Sequence, residues 1–115
     1  MIRYLKDVDV REIKGIVKEP GAMVARDYLT KLPENFRLFS KMTIKPGELG
    51  ELHTHPDQTE IVFVISGRIV MTDNGENHEM GPGDCQINFA GEAHAIGALG
   101  DEPAEVICCF VYTNK

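Results

Sequence analysis

Apolar residues in this chain recur at every second position over short stretches, and clusters of Gly, Pro, Asn and Asp separate those stretches. Alternation of period two marks a strand with one buried face, because successive side chains point to opposite sides of a pleated backbone. The clearest case is Phe36–Ile44, with Leu38, Ser40, Met42 and Ile44 on one face and Phe39, Lys41 and Thr43 on the other. Lys45-Pro46-Gly47 ends it as a turn. Further strands are predicted over Ala22–Leu29, Glu48–His55, Glu60–Ser66, Ile69–Thr72, Asn77–Met80, Cys85–Phe89, His94–Leu99 and Glu105–Tyr112. In Cys85–Phe89 the alternate residues Cys85, Ile87 and Phe89 are apolar. Turn chemistry stands between the strands at Glu19-Pro20-Gly21, Leu32-Pro33-Glu34-Asn35, Asp73-Asn74-Gly75 and Gly81-Pro82-Gly83-Asp84. Asn-Gly accepts the positive φ of a type I′ hairpin turn. Residues 1–20 hold no single period for long, and either a short strand or a turn of helix fits them. With no long helical period and no internal repeat, the pattern predicts an all-β antiparallel sandwich or barrel.

One stretch breaks the alternation. Glu60–Ser66 is apolar on both faces, with Ile61, Phe63 and Ile65 on one and Val62 and Val64 on the other. In a two-layer fold, a strand apolar on both sides calls for a further layer, such as a second copy of the chain, and a homodimer is the expected state. The length, 115 residues, is that of one domain, with residues 1–35 as N-terminal strands or arm and 36–115 as the barrel. Hydrophobic content of 43% excludes disorder as the default. A net charge of −6 and a pI near 5.1 disfavour nucleic acid as a partner. Apolar runs such as Ile61–Ile65 are far too short to span a bilayer, and the N-terminus lacks a signal-peptide core, so a cytoplasmic protein off the membrane is expected. Three cysteines without a Cys-x-x-Cys pair read as small buried hydrophobes rather than a disulfide framework. A thiol near a catalytic site would most naturally be Cys85.

The chemistry gathers between Gly47 and Gly67. His53 and His55, two residues apart on a strand, aim at one point. Pro56-Asp57 turns the chain, and an antiparallel return sets Glu60 beside the imidazoles. His94 supplies a third imidazole further on, while His78 fits no spacing and reads as solvent-facing. A lone strand histidine is usually a core or surface residue; the constellation is what points to a divalent metal. A carboxylate buried among neutral imidazoles also needs a cation, or must itself be protonated, or must charge a histidine.

These residues resemble the two motifs of the cupin family. The first, glycine, five residues, His-x-His, four residues, glutamate, six residues, glycine, is matched by Gly47, His53, His55, Glu60 and Gly67 with every spacing kept. The second is matched by Gly83, Gly91 and His94, with Phe89 where the family has proline and Ala98 where it has asparagine. The resemblance implies a jelly-roll-like cupin β-barrel whose metal ligands are His53, His55, Glu60 and His94. Four such ligands close a tetrahedral zinc site but leave two positions open on an octahedral ion, so Mn, Fe, Ni or Co is expected over Zn. The family includes dioxygenases, decarboxylases and isomerases of small oxygenated or carboxylate molecules. The resemblance therefore implies a small metal-dependent enzyme, a dioxygenase-type oxidoreductase first among these, with Glu60 as ligand or catalytic base. The alternative is a non-catalytic cupin that binds or senses a small molecule or a metal. Candidate substrate contacts are Arg37, Gln58 and Gln86, with Lys41 and Asn88 behind them, each weighed against a solvated strand face. Arg37 has the fork geometry to clamp a carboxylate.

Overall fold

A computed structural model describes residues 1–18 and 20–113. After a short 3-10 turn at Leu5–Asp7 come β1 (Asp9–Ile13), β2 (Met23–Asp27), β3 (Phe36–Ile44), β4 (His53–Thr54), β5 (Gln58–Ser66), β6 (Arg68–Asp73), β7 (Glu76–Met80), β8 (Cys85–Asn88), β9 (Ala93–Leu99) and β10 (Ala104–Tyr112). They form two antiparallel sheets, one ordered β1-β2-β3-β10-β5-β8 and the other β4-β9-β6-β7. No described helix is long and apolar enough to cross a membrane. The N-terminal stretch that held no period becomes β1, fixed by its pairing with β2 from Asp9↔Asp27 to Ile13↔Met23.

Local chemistry explains most of the boundaries. β3 spans the alternating stretch, and Leu38, Ser40, Met42 and Ile44 are its buried residues. The β6–β7 hairpin turns at Asn74 and Gly75, both at positive φ (52° and 78°), as an Asn-Gly type I′ turn requires. The turn before β8 is held by the Asp84 carboxylate, which accepts the Gly81 amide at 2.9 Å. Glu19, in the expected Glu19-Pro20-Gly21 turn, lies outside the described residues; the Gly21 amide donates to the Lys18 carbonyl at 2.9 Å.

The inner faces of the two sheets meet in one apolar cluster. Met42, Ile44, Val62, Val64 and Val106 come from the larger sheet, and Ile69, Met71, Ile96 and Ala98 from the smaller. Residues 48–51 bond both to β9 and to the segment between β1 and β2. There the structure departs from the expected strand Glu48–His55: only His53 and Thr54 pair as β4. Glu48 and Leu49 make other bonds. The Glu48 carboxylate accepts the Ala22 and Lys45 amides, each at 3.0 Å, and the Leu49 carbonyl accepts the Lys18 amide at 2.7 Å. The Glu48 carbonyl accepts the Ala98 amide at 3.0 Å, which lays this segment flat on β9. Gly50 permits the approach. A Cβ there would overlap the Ile96 carbonyl oxygen and lie 2.5 Å from the Ile96 amide nitrogen.

The strand apolar on both faces is β5. Val62 and Val64 are buried in the core, whereas Phe63 and Ile65 are 43% and 39% exposed on the outer face. In register beside them on β8, Ile61 faces Ile87 and Phe63 faces Cys85. Phe89, just beyond β8, is also exposed. The inner face of β8 therefore carries its polar residues, Gln86 and Asn88.

Candidate metal centre

Both sheets contribute to the site. In the smaller sheet, His53 of β4 stands in register with His94 of β9. In the larger sheet, Glu60 of β5 lies between Asn88 of β8 and Phe110 of β10. One ligand atom from each of His53, Glu60 and His94 lies within 4.8 Å of the others. His94 Nε2 is 3.0 Å from His53 Nε2 and 3.3 Å from Glu60 Oε1.

His55 is placed differently. Its Nε2 lies 2.9 Å from the other carboxylate oxygen, Glu60 Oε2, and it stands outside the three-ligand group. Of the implied four, three bring donor atoms together, and the His55 ring lies against the Glu60 carboxylate with its centroid 5.2 Å from that of His53. β4 ends at Thr54, so the strand alternation that would align His55 with His53 stops one residue short.

Hydrogen bonding fixes which nitrogens are free. His53 Nδ1 is 2.8 Å from the Glu51 carbonyl, which only accepts, so Nδ1 carries the proton. His94 Nδ1 is 3.1 Å from Gln86 Oε1, and Gln86 Nε2 donates to Asp73 Oδ1 at 3.4 Å. A carboxylate only accepts, so Asp73 turns the amide oxygen of Gln86 toward His94, and His94 Nδ1 donates as well. Both Nε2 lone pairs then face each other and Glu60 Oε1. Three acceptors converging out of water need a cation or a proton among them. The donor set fits a divalent transition metal.

The electrostatics agree. Burial pushes His53 below its ordinary value, more than the Glu51 carbonyl raises it, and a neutral imidazole is the form a metal takes. Burial pushes the Glu60 carboxyl up, but the imidazoles of His94, His55 and His53 around it outweigh that and hold the group below the usual carboxylate range. Glu60 is an anion at neutral pH.

The remaining candidates divide into those behind the site and those facing it. Gln58 is 2% exposed and its Nε2 lies 3.4 Å from Glu60 Oε2. Gln86, read from the sequence as a substrate contact, sits behind His94 as its positioning residue. Asn88 donates to the Glu92 carbonyl at 3.1 Å. Lys41 is paired with Glu105 at 3.0 Å, and His78 is exposed. Arg37 faces the site: it is exposed, with its guanidinium carbon 5.9 Å from the Phe110 ring centroid, and it lines the cavity beside the ligands. That cavity has a volume of about 140 Å³. Two of its lining residues escaped the sequence reading, Arg11 and Cys108. Arg11 is tied to Asp27, with its Nε 2.6 Å and its Nη2 3.2 Å from the carboxylate oxygens. Burial pushes the Cys108 thiol far up, helped by Glu60 and Cys109, so it stays a neutral thiol. The thiol by the site is Cys108 and not Cys85, because the register of β8 turns Cys85 to the outer face. The alternation Val106, Cys108, Phe110 along β10 carried that signal.

Gln86→Leu removes the acceptor for His94 Nδ1 at similar volume. It is expected to weaken divalent-metal affinity about 10- to 100-fold, read by competition with a chromogenic chelator. Unchanged affinity would show that Gln86 does not hold His94.

A family model described as Cupin domain matches residues 40–110, the stretch that contains all four of these histidine and glutamate side chains. The chain belongs to the cupin family. This cupin is 32% identical over 75 residues to an oxalate-binding protein of Thermotoga maritima, covering 65% of the chain and 62% of that relative. It is 34% identical over 98 residues to germin-like protein 5-1 of Oryza sativa subsp. japonica, covering 78% of the chain and 44% of the relative. The chain thus spans less than two thirds of the length of each of these curated relatives. A crystal structure described as a predicted oxalate decarboxylase from Thermotoga maritima superposes with a TM-score of 0.89 at 26% identity, over 98% of this chain and 100% of that one. KdgF from Halomonas sp. superposes with a TM-score of 0.82 at 19% identity, over 100% of this chain and 96% of that one, a likeness of fold.

Proposed function

We propose that this cupin is a small metal-dependent enzyme, of the dioxygenase type or a related one, that holds Mn, Fe, Ni or Co through His53, Glu60 and His94 and acts on a small carboxylate or oxygenated molecule. The observation that supports it most is the convergence of two imidazole lone pairs and a carboxylate oxygen, with His53 Nε2 3.0 Å and Glu60 Oε1 3.3 Å from His94 Nε2. Three ligands leave an octahedral ion open to substrate, and the cavity beside them gives the substrate a place. When bound, the metal would polarise a substrate oxygen or supply redox chemistry. The protein's own part is proton handling. Glu60 Oε2 faces His55 Nε2 at 2.9 Å, and the His55 side chain is 28% exposed, so a proton taken by Glu60 has a path through His55 to water. Arg37 at the cavity wall supports an acid as ligand.

A second reading, a metal-dependent binder of a small acid without turnover, is favoured by the oxalate-binding relative. Elemental analysis of protein purified without a metal column, followed by oxygen-uptake and product assays on small acids, separates the two. Near-stoichiometric Mn, Fe, Ni or Co with turnover is expected. Metal with acid binding but no turnover selects the binder, and no metal after Mn or Fe is added sinks both.

Self-association belongs to the same proposal. The exposed Phe63, Ile65, Ile87 and Phe89 form an apolar face that a second copy of the chain would cover. Sedimentation at the mass of a dimer is expected, with Phe63→Lys shifting it to the monomer; a wild-type monomer would overturn this part.

A further inference from the structure

The cavity beside the candidate metal group is lined by two unlike kinds of side chain. One kind is the His53, Glu60 and His94 group with His55. The other is hydrocarbon and thioether: Met23, Leu38, Met42, Val62, Met71 and Ile96, all nearly or fully buried. The volume, about 140 Å³, matches that of an apolar cavity of ~150 Å³ that takes up a benzene molecule. Such walls give water few partners, so a hydrocarbon group is a better occupant than water or a charge.

Resting on the metal reading above, we propose that the ligand is a short monoacid with an oxygen-bearing head at the metal and a hydrocarbon remainder of about three to five carbons, of the 2-oxo or 2-hydroxy acid class, and not oxalate. Oxalate is charged at both ends. Oxalate can place both carboxylates at one metal ion, but it then has no carbon to set against Leu38, Met42 and Met71. A monoacid of this class offers the ion one carboxylate and its 2-oxygen, and sets its hydrocarbon against those side chains.

The test is calorimetric titration of the Mn-loaded full chain with oxalate, pyruvate, 2-oxobutanoate and 2-oxopentanoate. Affinity should rise about three- to fourfold for each added methylene until the cavity is full, and oxalate should bind more weakly than 2-oxopentanoate. Met42→Gln, with Mn uptake as the check on its integrity, should flatten the series. A flat series in the wild type, or oxalate binding as tightly as the best monoacid, overturns the inference and leaves the metal reading standing. Failure of the wild type to take up Mn overturns both.

Discussion

Glu60→Gln is expected to lower divalent-metal content from about one ion per chain to background, with affinity reduced at least a hundredfold. The size follows from what the side chain does. His53 and His94 present neutral lone pairs, and Glu60 is the anion in the three-ligand group. Loss of a residue that only orients a ligand costs 10- to 100-fold, and loss of the anionic ligand itself costs more. The fold should survive. The amide matches the carboxylate in volume, and its N–H can donate to the imidazole lone pair that Glu60 Oε1 now faces at 3.3 Å. The variant then satisfies the cluster without a cation. Elemental analysis reads the metal, and scanning calorimetry reads the fold. Wild-type protein with metal at 100 times its Kd gains about 2.7 kcal/mol, a rise of several degrees in midpoint that the variant should lack. Full metal content in Glu60→Gln would remove the carboxylate from the site.

Gly50→Ala should be strongly destabilising, costing about 3 kcal/mol and on the order of 10 °C in thermal midpoint. The new Cβ meets the Ile96 carbonyl oxygen and lies 2.5 Å from the Ile96 amide nitrogen. Both are backbone atoms inside β9, so no side chain can swing aside to relieve the overlap. Gly75→Ala is the control. Gly75 lies at φ +78° with nothing within 4 Å of a Cβ, so only the conformational penalty of about 1 kcal/mol applies. The two variants separate backbone approach from backbone strain. β9 also carries His94, two residues from Ile96, so Gly50→Ala should weaken metal binding where Gly75→Ala does not. Equal stability losses in the two would refute the close approach.

The strands were legible where one face meets the core and the other meets water. β3 and the Asn-Gly hairpin obey that rule, and their residues predict them. β8 breaks it. Its inner face borders the ligand group and needs amides to hold His94 and approach Glu60, while its outer face is apolar. Hydrophobicity alone reads such a strand upside down and turns Cys85 toward the site, whereas the structure turns Gln86 there, against His94. The group His53, Glu60 and His94, which could hold a metal, was visible through its spacing. The different place of His55 was not, because it depends on where β4 stops pairing. Past that point the His55 carbonyl accepts the Gly91 amide at 2.9 Å, a partner in a turn remote in sequence.

His53 and His94 belong to the smaller sheet and Glu60 to the larger, with the shared apolar core between the sheets. An ion seated among them would act as a cross-brace, and its retention would gauge the gap between the layers. Repacking the interior far from the group, at Ile69 or Val106 for instance, would then register in the dissociation constant of the ion. A bound metal would work as a caliper on the core that surrounds it.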